Sequence, residues 1–404
     1  MAGAMPAVIL AAGEGARMRP LTYTRPKAML PVAGLPLLEH LVVALTGAGV
    51  RHFIFVVGYR AEMVQNYFGS GSRWQADITY CRQAEQLGTA HALRQVEGLV
   101  GERFLVLNAD VLVSSVDLAD LMRRDGCTLA VKEVEDASRL GVVEIENGRV
   151  LALHEKLSNP PTKLASTGIY LFKHTIFQAL SHTTSSSRGE HELPQAIQML
   201  IDGGEHVGYV TADSWRDVSY PWELLTLNAV LMENIQPFNA GNIEPGVFIE
   251  GACRIGEGSR IRAGSYISGP VVIGSGCDIG PNCYIRPSTS IGDDCRIGAA
   301  VEVKNSIIMS GCRLPHQNYV GDSIIGEGCN LGAGTKVANL RLDGQPVRAG
   351  GMETGLRKFG AVLGDGVSSG VNACLNPGTM VGSGTRIGPG KVVSGIINPG
   401  SYIY

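Results

Sequence analysis

The sequence predicts two folded units, an α/β sandwich with a mostly parallel sheet followed by a parallel β-helix. A chain of 404 residues exceeds the roughly 250 residues at which a single core usually stops growing. Apolar strand-like runs alternate with helix-like runs up to about residue 233, and beyond it an aliphatic residue recurs at every sixth position. We therefore predict domains over residues 1–235 and 245–404.

The first half carries the pattern of an α/β sandwich. PAVILAAG, HFIFVVG and RFLVLNAD read as buried parallel strands, and PLLEHLVVALTGAG and TAHALRQVEGL as the helices between them. A last helix, WELLTLNAVLMENI, runs into QPFNAGNIEPG, where we place the seam between the domains.

The second half repeats every six residues, which is typical of a parallel β-helix whose triangular coils each contain three short strands. Ten aliphatic residues follow one another at this interval: Ile249, Ile255, Ile261, Ile267, Ile273, Ile279, Ile285, Ile291, Ile297 and Val303. Small residues often stand four places later and fit a second inward position. Five cysteines share that phase, so we predict that they pack in the core and bind no metal: Cys253, Cys277, Cys283, Cys295 and Cys329.

Two stretches interrupt the repeat. MSGCRLPHQNYVGD, residues 309–322, contains His316, and NLRLDGQPVRAGGMETGLRKFG, residues 339–360, contains Lys358. A regular hexapeptide coil offers no room for an imidazole, so we expect a loosened coil that turns the His316 ring towards the groove between coils.

The composition excludes several classes of protein. A net charge of -3, with 45% hydrophobic and 18% charged residues, argues against a broadly basic nucleic-acid-binding protein. No apolar run approaches the roughly 20 residues that span a bilayer, and MAGAMPAVIL lacks a charged leader. We expect a cytoplasmic protein without nucleic-acid or membrane partners.

A glycine-rich loop, LAAGEGARMRPLTYTRPKAMLPV, follows the first strand. Such a loop presents backbone N–H groups to a phosphate, and Arg17 and Lys27 add fixed positive charge. It lacks the third glycine of the dinucleotide fingerprint and the Gly-Lys-Ser/Thr ending of a P-loop, which argues against both.

The longer stretches resemble a known family. LAAGEGARMRPLT with RPKAMLPVAGLPLLEH resembles the signature of sugar-1-phosphate nucleotidylyltransferases, and QAEQLGTAHAL, residues 83–93, resembles the base-binding segment of their uridylyl-transferring branch. With the hexapeptide half, the chain resembles the bifunctional N-acetylglucosamine-1-phosphate uridylyltransferases/glucosamine-1-phosphate acetyltransferases. The resemblance implies a Rossmann-like nucleotidyltransferase sandwich and a left-handed β-helix.

The resemblance also implies the residues of a nucleotidyltransferase site, in four groups. The triphosphate loop would comprise Gly13, Gly15 and the catalytic cations Arg17 and Lys27. The base would contact Gln83, Gln86, Gly88 and Thr89. The sugar phosphate would contact Gly141, Glu155, Lys156 and Ser166. Mg²⁺, or another divalent cation, would be held by Asp110 and Asp217.

Three departures from the family pattern bear on which sugar fits. Ala109 replaces a glycine before the first aspartate, Ser166 an asparagine near the sugar, and Ser219-Tyr220 a glycine-threonine after the second aspartate.

For the second half, the resemblance implies an acetyltransferase site. Its base would be His316, its sugar-phosphate ligands Arg286, Lys304, Tyr319 and Asn330, and its acetyl-coenzyme A contacts Ala333, Asn339 and Lys358. Arg286 and Lys304 are eighteen residues apart, so they should stack on adjacent coils roughly 5 Å apart. Two cations at that separation would repel each other unless an anion lay between them.

We therefore expect a homotrimeric enzyme that acetylates glucosamine-1-phosphate with acetyl-coenzyme A and then uses UTP, or dTTP, to make the nucleotide sugar. Two alternatives stay open at this point. One is a thymidylyl- or uridylyltransferase acting on another sugar-1-phosphate, with a purely structural β-helix. The other is a non-catalytic regulatory subunit of the same architecture.

Overall fold

A computed structural model of the protein describes residues 5–155, 157, 159–186 and 189–404. The chain forms two compact units. The first comprises residues up to Glu14, Pro26–Met29 and Leu37–Asp217, and the second comprises Gly15–Arg25, Leu30–Pro36 and Val218–Tyr404. This division differs from the contiguous ranges 1–235 and 245–404, because two short N-terminal segments and the helix after residue 220 pack with the β-helix.

Thirteen strands precede the β-helix among the described residues. They are β1 (Ala7–Ala11), β2 (Pro31–Val32), β3 (Leu35–Pro36), β4 (His52–Val57), β5 (Asp77–Arg82), β6 (Arg103–Asn108), β7 (Val111–Leu112), β8 (Cys127–Glu133), β9 (Gly141–Glu146), β10 (Arg149–Glu155), β11 (Leu164–Lys173), β12 (Val207–Thr211) and β13 (Arg216–Asp217).

Six α-helices of the described residues lie between these strands, and a seventh follows β13. They are α1 (Leu37–Gly47), α2 (Ala61–Phe68), α3 (Thr89–Arg94), α4 (Ser115–Met122), α5 (Ile176–Ser181), α6 (Leu193–Asp202) and α7 (Glu223–Met232), with 3₁₀ turns at Ala16–Met18, Leu21–Tyr23, Lys27–Met29, Ser72–Trp74 and Glu97–Leu99. None of the helices in the described ranges is long and apolar enough to cross a membrane.

The first unit is built on a mixed sheet with the strand order β10-β9-β11-β6-β1-β4-β5, to which β8 and β12 are added beside β11. Strands β6, β1, β4 and β5 run parallel, and β11 runs antiparallel to β6. The central strand β1, AVILA, alternates its side chains between two hydrophobic cores, with Ile9 in one and Val8 in the other. Burial on both faces explains why these strands are continuous apolar runs.

The carboxyl ends of the parallel strands meet at one edge of this sheet, where ligands of open α/β sheets bind. The chain leaves β1 into Gly13, β4 into Gly58, β5 into Gln83 and β6 into Asp110. The sheet topology therefore brings the first-unit residues of the predicted nucleotide site to a common edge.

The second unit contains three parallel sheets, consistent with a left-handed β-helix. The strands of the first face are Phe238–Asn239, Cys253–Ile255, Val271–Ile273, Thr289–Ile291, Ile307–Ile308, Ile324–Ile325, Ala361–Leu363, Thr379–Val381 and Ile396–Ile397. The strands of the second face are Asn242–Ile243, Arg260–Ile261, Asp278–Ile279, Arg296–Ala299, Arg313–His316, Asn330–Leu331, Ser368–Ser369, Arg386–Ile387 and Tyr402–Ile403. The strands of the third face are Phe248–Glu250, Tyr266–Ser268, Tyr284–Ile285, Glu302–Lys304, Tyr319–Gly321, Lys336–Val337, Cys374–Leu375 and Val392–Val393.

The hexapeptide positions form the interior of the β-helix, as predicted. The repeated isoleucines from Ile255 to Ile297 and Val303 are all buried in one continuous core. The predicted packing of the cysteines is confirmed, since Cys253, Cys277, Cys283, Cys295 and Cys329 are buried in this core. Several thiols donate to a backbone carbonyl of the next coil, for example that of Cys277 to the oxygen of Gly292 at 3.1 Å.

The explanation predicted for the first interruption is wrong. Residues Arg313–His316 form a regular strand that pairs with Arg296–Ala299, so the coil is not loosened at His316. The six-residue spacing of inward positions is interrupted at the corners that follow the third face. Inward positions there are five residues apart rather than six, from Val303 to Ile308 and from Val320 to Ile325.

The second interruption, residues 339–360, leaves the coil and folds on itself. It contains a hairpin of Arg348–Ala349 with Met352–Glu353, and its Val347, Ala349 and Phe359 are buried. These three buried residues make the segment a packed part of the second unit, although Leu340 and Leu342 are exposed.

Candidate active sites

The topology of the first unit brings the two predicted metal ligands to neighbouring backbone positions. Asp110 lies in the turn between β6 and β7, and β13 pairs antiparallel with β7 so that Asp217 stands opposite Val111. The two predicted metal ligands thus occupy neighbouring positions across this short ladder. No group of three or more His, Cys, Asp and Glu side chains is arranged for a metal within the described residues. A pair of protein oxygens, completed by phosphate and water, suits Mg²⁺.

Lys27 forms an ion pair with Asp110. Its Nζ donates to Oδ2 of Asp110, and the Lys27 side chain is only 12% exposed. Because an ammonium has three donors, Lys27 keeps N–H groups for a phosphate while paired with Asp110.

The glycine loop is divided between the two units. Gly13 is an exposed residue of the first unit, whereas Gly15 and Arg17 belong to the second. Gly15 has a φ of 77°, which favours glycine, and its carbonyl accepts hydrogen bonds from Met18 N at 2.8 Å and Thr22 Oγ1 at 3.1 Å. The Arg17 guanidinium lies 5.8 Å from the ring centroid of Tyr220.

The predicted base-binding residues form a tight turn between β5 and α3. The buried Gln83 donates from Nε2 to the carbonyl of Gly88 at 3.1 Å. Gly88 has a φ of 102°, and a Cβ there would lie 2.4 Å from the carbonyl oxygen of His191. Thr89 Oγ1 accepts from Leu193 N at 2.9 Å. These three residues shape the turn. The side chains of Gln83 and Thr89, which the resemblance assigns to base binding, therefore also make hydrogen bonds that stabilise the fold.

Gln86 is attached more loosely to the same turn. Its Nε2 lies 3.5 Å from the carbonyl oxygen of Gln83. A Cβ at Gly58, after β4, would come within 2.7 Å of the Gln86 amide. Glycine at position 58 therefore leaves room for the Gln86 side chain.

The predicted sugar residues cluster where β9, β10 and β11 meet. Gly141 pairs with Glu155, and a Cβ at Gly141 would lie 2.8 Å from Glu155 Oε2. Ser166 Oγ lies 3.4 Å from the hydroxyl of Tyr170. Burial raises the pKa of Tyr170 to about 12, and the nearby charge of Glu155 acts in the same direction. Lys156 lies outside the described residues.

Arg286 and Lys304 lie at the same end of the third face on adjacent coils. Ile285 pairs with Val303, as the eighteen-residue spacing predicts. Arg286 Nη1 donates to Glu302 Oε1 at 2.9 Å, and Lys304 Nζ donates to Asp322 Oδ2 at 3.3 Å. Each cation has its own carboxylate, so no further anion is needed to balance their charges.

One N–H group of Arg286 nevertheless remains available to donate a hydrogen bond. Its buried Nε has no hydrogen-bond partner among the residues that the structure describes. A buried donor without a partner is costly, and a ligand oxygen would satisfy it.

A polar network continues from Lys304 to the next coils. The buried Asp322 also accepts from Asn305 Nδ2 at 2.7 Å and from Asn339 Nδ2. Asn339 Nδ2 lies 3.2 Å from the Tyr319 hydroxyl, which it approaches across Gly321. A Cβ at Gly321 would lie 2.6 Å from both groups, so this network requires glycine there.

His316 stands at the corner before the third face. Ala299 pairs with His316 and Lys304 with Gly321, so His316 and Lys304 flank this face from opposite ends. The His316 residue is exposed, and its ring has no hydrogen bond or ion pair to any described side chain. Its place is fixed through the backbone, where the carbonyl of His316 accepts from Gly334 N at 3.0 Å.

The remaining predicted acetyl-site residues lie apart from this network. Asn330 is exposed on the second face, where it pairs with Arg313 and Ser368. Ala333 lies in the following turn, and Lys358 is exposed and bridges to Leu340. No described side-chain contact joins these residues to Lys304 or Tyr319.

Comparison with known proteins identifies the family. Residues 6–234 match the family described as nucleotidyl transferase, and residues 267–379 match the family described as GMPPB C-terminal domain. A Methanocaldococcus jannaschii protein named "Bifunctional protein GlmU" is 38% identical over 404 residues, covering 99% of this chain and 97% of its own length.

The chain belongs to the bifunctional sugar-1-phosphate nucleotidylyltransferase/acetyltransferase family. It is therefore an enzyme, which removes the non-catalytic alternative. A Sulfurisphaera tokodaii protein named "Bifunctional sugar-1-phosphate nucleotidylyltransferase/acetyltransferase" is 35% identical and covers 98% of this chain and 99% of its own.

Other members of the nucleotidyltransferase family differ in their named roles. A Haloferax volcanii protein named "Low-salt glycan biosynthesis nucleotidyltransferase Agl11" is 34% identical over 81% of this chain and 94% of its own. A solved Bacillus anthracis structure, provisionally named a glucose-1-phosphate thymidylyltransferase, superposes with a TM-score of 0.53 at 28% identity, over 58% of this chain and 98% of its own.

The structure adds three residues that sequence reasoning missed in this bifunctional chain. Glu302 and Asp322 pair with Arg286 and Lys304, the cations predicted for the acetyl site, and Tyr170 lies beside Ser166 in the predicted sugar cluster. Glu302 lies sixteen residues after Arg286, and Asp322 lies eighteen after Lys304. Partners at one-coil spacing, and the even spacing of Ser166 and Tyr170 on one strand, were the available signals.

Proposed function

We propose that the enzyme acetylates glucosamine-1-phosphate with acetyl-coenzyme A and then transfers a uridylyl group from UTP to the N-acetylglucosamine-1-phosphate formed. The observation that carries this proposal is the polar network around Asp322 on the β-helix. A β-helix that served only as a scaffold would gain little from a buried carboxylate holding a lysine and two asparagines, because burying such groups is costly.

The pairing of Lys27 with Asp110 supports the proposed nucleotidyl transfer. A phosphate oxygen of the sugar phosphate attacks the α-phosphorus of the triphosphate, and pyrophosphate leaves. The nucleophile is already an anion, so positioning and charge neutralisation supply most of the rate. Lys27 binds phosphate oxygens, with Gly13, Gly15 and Arg17 proposed as the remainder of the triphosphate loop.

The residues Asp110 and Asp217 fit a divalent cation. They supply two oxygen ligands from neighbouring positions of a rigid ladder. When bound there, Mg²⁺ would neutralise charge on the phosphates. Gln86, with Gln83, Gly88 and Thr89 shaping its turn, is proposed to contact the base.

The sugar phosphate of this reaction is assigned to the cluster where β9, β10 and β11 meet. A Cβ at Gly141 would lie 2.8 Å from Glu155 Oε2, so glycine at position 141 leaves room for this carboxylate. Burial raises the pKa of Tyr170 to about 12, so its hydroxyl stays protonated even in alkaline solution and can donate to a sugar oxygen beside Ser166.

For acetyl transfer, we assign the phosphate to Arg286 and Lys304 and the amine to the His316 end of the third face. The free Nε of Arg286 and the ammonium of Lys304 bind phosphate oxygens. The imidazole of His316 accepts a proton as the amine attacks the thioester, and it returns that proton to the sulfur of coenzyme A, which leaves as the thiol when the C–S bond breaks. Tyr319 and Asn330 would contact the sugar, and Ala333, Asn339 and Lys358 acetyl-coenzyme A.

One experiment tests the proposed substrates. The purified protein is supplied with amino-sugar phosphates and acetyl-coenzyme A, and then with UTP or dTTP, and products are followed by phosphorus NMR. We expect N-acetylglucosamine-1-phosphate and then a uridylyl sugar with pyrophosphate. Nucleotide sugar formation from a supplied sugar-1-phosphate without any acetyl transfer would contradict the bifunctional proposal.

A second candidate is a uridylyl- or thymidylyltransferase for another sugar-1-phosphate. The replacement of asparagine by Ser166, whose hydroxyl lies beside Tyr170, favours it because a shorter side chain enlarges the sugar pocket. The same panel decides between the candidates. Preference for dTTP and for the phosphate of a sugar without an amino group would support this second candidate.

We also propose a homotrimer built through the β-helix. Phe248, Tyr266 and Tyr284 form an outward aromatic ladder on the third face, with ring centroids 4.9 and 5.4 Å apart. An exposed aromatic strip on a flat face suits contact with another copy. Sedimentation should give three times the protomer mass, and a stable monomer with full acetyl transfer would contradict the trimer.

A further inference from the structure

Two carboxylates of the β-helix bury an arginine from the N-terminal part of the chain. Arg25, only 4% exposed, donates from Nη1 to Glu327 Oε1 at 3.1 Å and from Nη2 to Asp365 Oδ2 at 2.7 Å. Thr24 Oγ1 donates to the same Asp365 oxygen at 2.6 Å. These contacts anchor the end of the segment Gly15–Arg25 within the second unit.

Asp365 makes one contact that Asp293 also makes in its own coil, and it makes further contacts to Thr24 and Arg25. Its Oδ1 accepts from Glu327 N of the previous coil at 2.8 Å, and Asp293 Oδ1 accepts in the same way from Ser275 N at 2.7 Å. Both aspartates thus support the turn after the first face. Only the second oxygen of Asp365 also holds Thr24 and Arg25, so the β-helix itself does not require that contact.

A second anchor holds the segment that follows. The β2–β3 hairpin presents Ala33 N to Asn228 Oδ1 at 2.7 Å, and the fully buried Asn228 donates from Nδ2 to the carbonyl of Ser288 at 2.8 Å. A Cβ at Gly34 would lie 2.9 Å from Val272. Lys27 therefore lies in a four-residue stretch, Pro26–Met29, between two segments that are both anchored on the β-helix.

We propose that Asp365 and Glu327 are positioning residues for nucleotidyl transfer. By holding Arg25, they fix the segment that carries Gly15 and Arg17 and that continues after one proline into Lys27. The inference rests on the proposed role of these residues as the triphosphate loop. It implies that the β-helix serves the first reaction as well as the second.

Replacing one carboxylate beside Arg25 should disturb the segment that Arg25 anchors. A buried guanidinium needs its carboxylates, because removing one leaves an uncompensated charge. The side chain of Asp365 is 17% exposed and that of Glu327 is 46% exposed, so Asp365 makes the better shielded contact. Displacing a loop that positions phosphates reduces transfer steeply even when no catalytic group is altered.

The test uses the full-length variants Asp365→Asn and Glu327→Gln, with Asp293→Asn as the matched control. Asp293→Asn makes the same chemical change in an equivalent turn that does not touch Arg25. Two readouts are taken: amide hydrogen exchange across residues 15–29, and steady-state constants for both transfers. Arg25→Lys, which keeps the charge and loses the paired geometry, is added as a milder variant.

We expect Asp365→Asn to speed exchange in residues 15–29 and to raise the KM for the triphosphate about tenfold, with the constants for acetyl transfer unchanged. Glu327→Gln and Arg25→Lys should give smaller shifts of the same kind, and Asp293→Asn should match the parent. Unchanged exchange and an unchanged KM in both Asp365→Asn and Arg25→Lys would overturn the inference. A fall in both activities together in Asp365→Asn and Asp293→Asn alike would also overturn it, since it would show a general defect of the coil.

These results are separable from a failure of the proposed function. A parent that transfers no nucleotidyl group from any triphosphate would contradict the function, whatever the variants do. Hydrogen exchange needs no substrate, so unchanged exchange in the variants of an active parent contradicts the positioning role alone.

Discussion

At the scale of single residues, the chain places its charged groups in partly buried pairs. Lys27 meets Asp110, Lys304 meets Asp322, and Arg25 meets Asp365. In each pair the cation is less than a quarter exposed, so the geometry is held by packing as well as by charge. A substitution that keeps the shape and removes the charge therefore tests the role of each carboxylate.

Asp110→Asn should abolish nucleotidyl transfer and leave acetyl transfer intact. The amide keeps the size of the side chain but is a poor ligand for a divalent cation, and it releases Lys27 from its ion pair. We expect kcat for nucleotidyl transfer to fall by at least about a hundredfold. The exposed Asp125 provides the control, and Asp125→Asn should behave as the parent. Comparable pyrophosphate release from Asp110→Asn and the parent would refute the assignment.

Asp322→Asn should impair acetyl transfer and leave nucleotidyl transfer intact. Asp322 is 4% exposed and holds Lys304, Asn305 and Asn339, so the change leaves a lysine without its carboxylate. We expect the free energy of unfolding to fall by about 1–3 kcal/mol and the KM for the amino-sugar phosphate to rise.

The comparison for this variant is Asp278→Asn, which breaks the more exposed Arg262 pair on the second face. It should cost less stability and leave acetyl transfer unchanged. Equal effects of the two substitutions on acetyl transfer would show that Asp322 has no special role.

At the scale of elements, much of the fold was predictable because its periodicity is strong. Six-residue spacing predicted the inward isoleucines and the stacking of Arg286 and Lys304. It failed at residues 309–322, where the pattern breaks because the corners after Val303 and Val320 are one residue shorter. A shortened corner and a loosened strand would interrupt the six-residue pattern of the sequence in the same way. The pairing register of the strands is needed to distinguish these two structures.

The segment 339–360 depends on glycine at a neighbouring corner. Gly378 has a φ of 79°, and a Cβ there would lie 2.0 Å from the carbonyl oxygen of Arg348 in the hairpin of that segment. Gly384 has a φ of 71°, but a Cβ there would meet nothing within 4 Å.

Gly384→Ala should therefore cost about 1 kcal/mol for the left-handed backbone alone, whereas Gly378→Ala should cost at least about 2 kcal/mol because it also displaces the hairpin. We expect Gly378→Ala, and not Gly384→Ala, to raise the KM for acetyl-coenzyme A, since Lys358 lies in the displaced segment. Urea unfolding and acetyl-transfer kinetics measure both effects, and equal results for the two variants would contradict this account.

At the scale of the whole molecule, the sequence predicted two units but not their membership. The segments Gly15–Arg25 and Leu30–Pro36 pack with the β-helix through contacts more than 190 residues apart in the chain, such as that of Ala33 with Asn228. Neither composition nor periodicity marks such long-range partners. The candidate site residues follow from the resemblance, whereas the roles of Asp322, Glu302 and Tyr170 as partners of Lys304, Arg286 and Ser166 became clear only in the structure.

The account as a whole depends on a separate acetyl-transfer site on the β-helix, and His316→Ala tests it most directly. Parent and variant are given glucosamine-1-phosphate, acetyl-coenzyme A and UTP, or N-acetylglucosamine-1-phosphate and UTP, and nucleotide sugar is measured. We predict that the variant makes product at the parent rate from the acetylated substrate and almost none from the amine. Acetylation at the parent rate by His316→Ala would contradict the central claim.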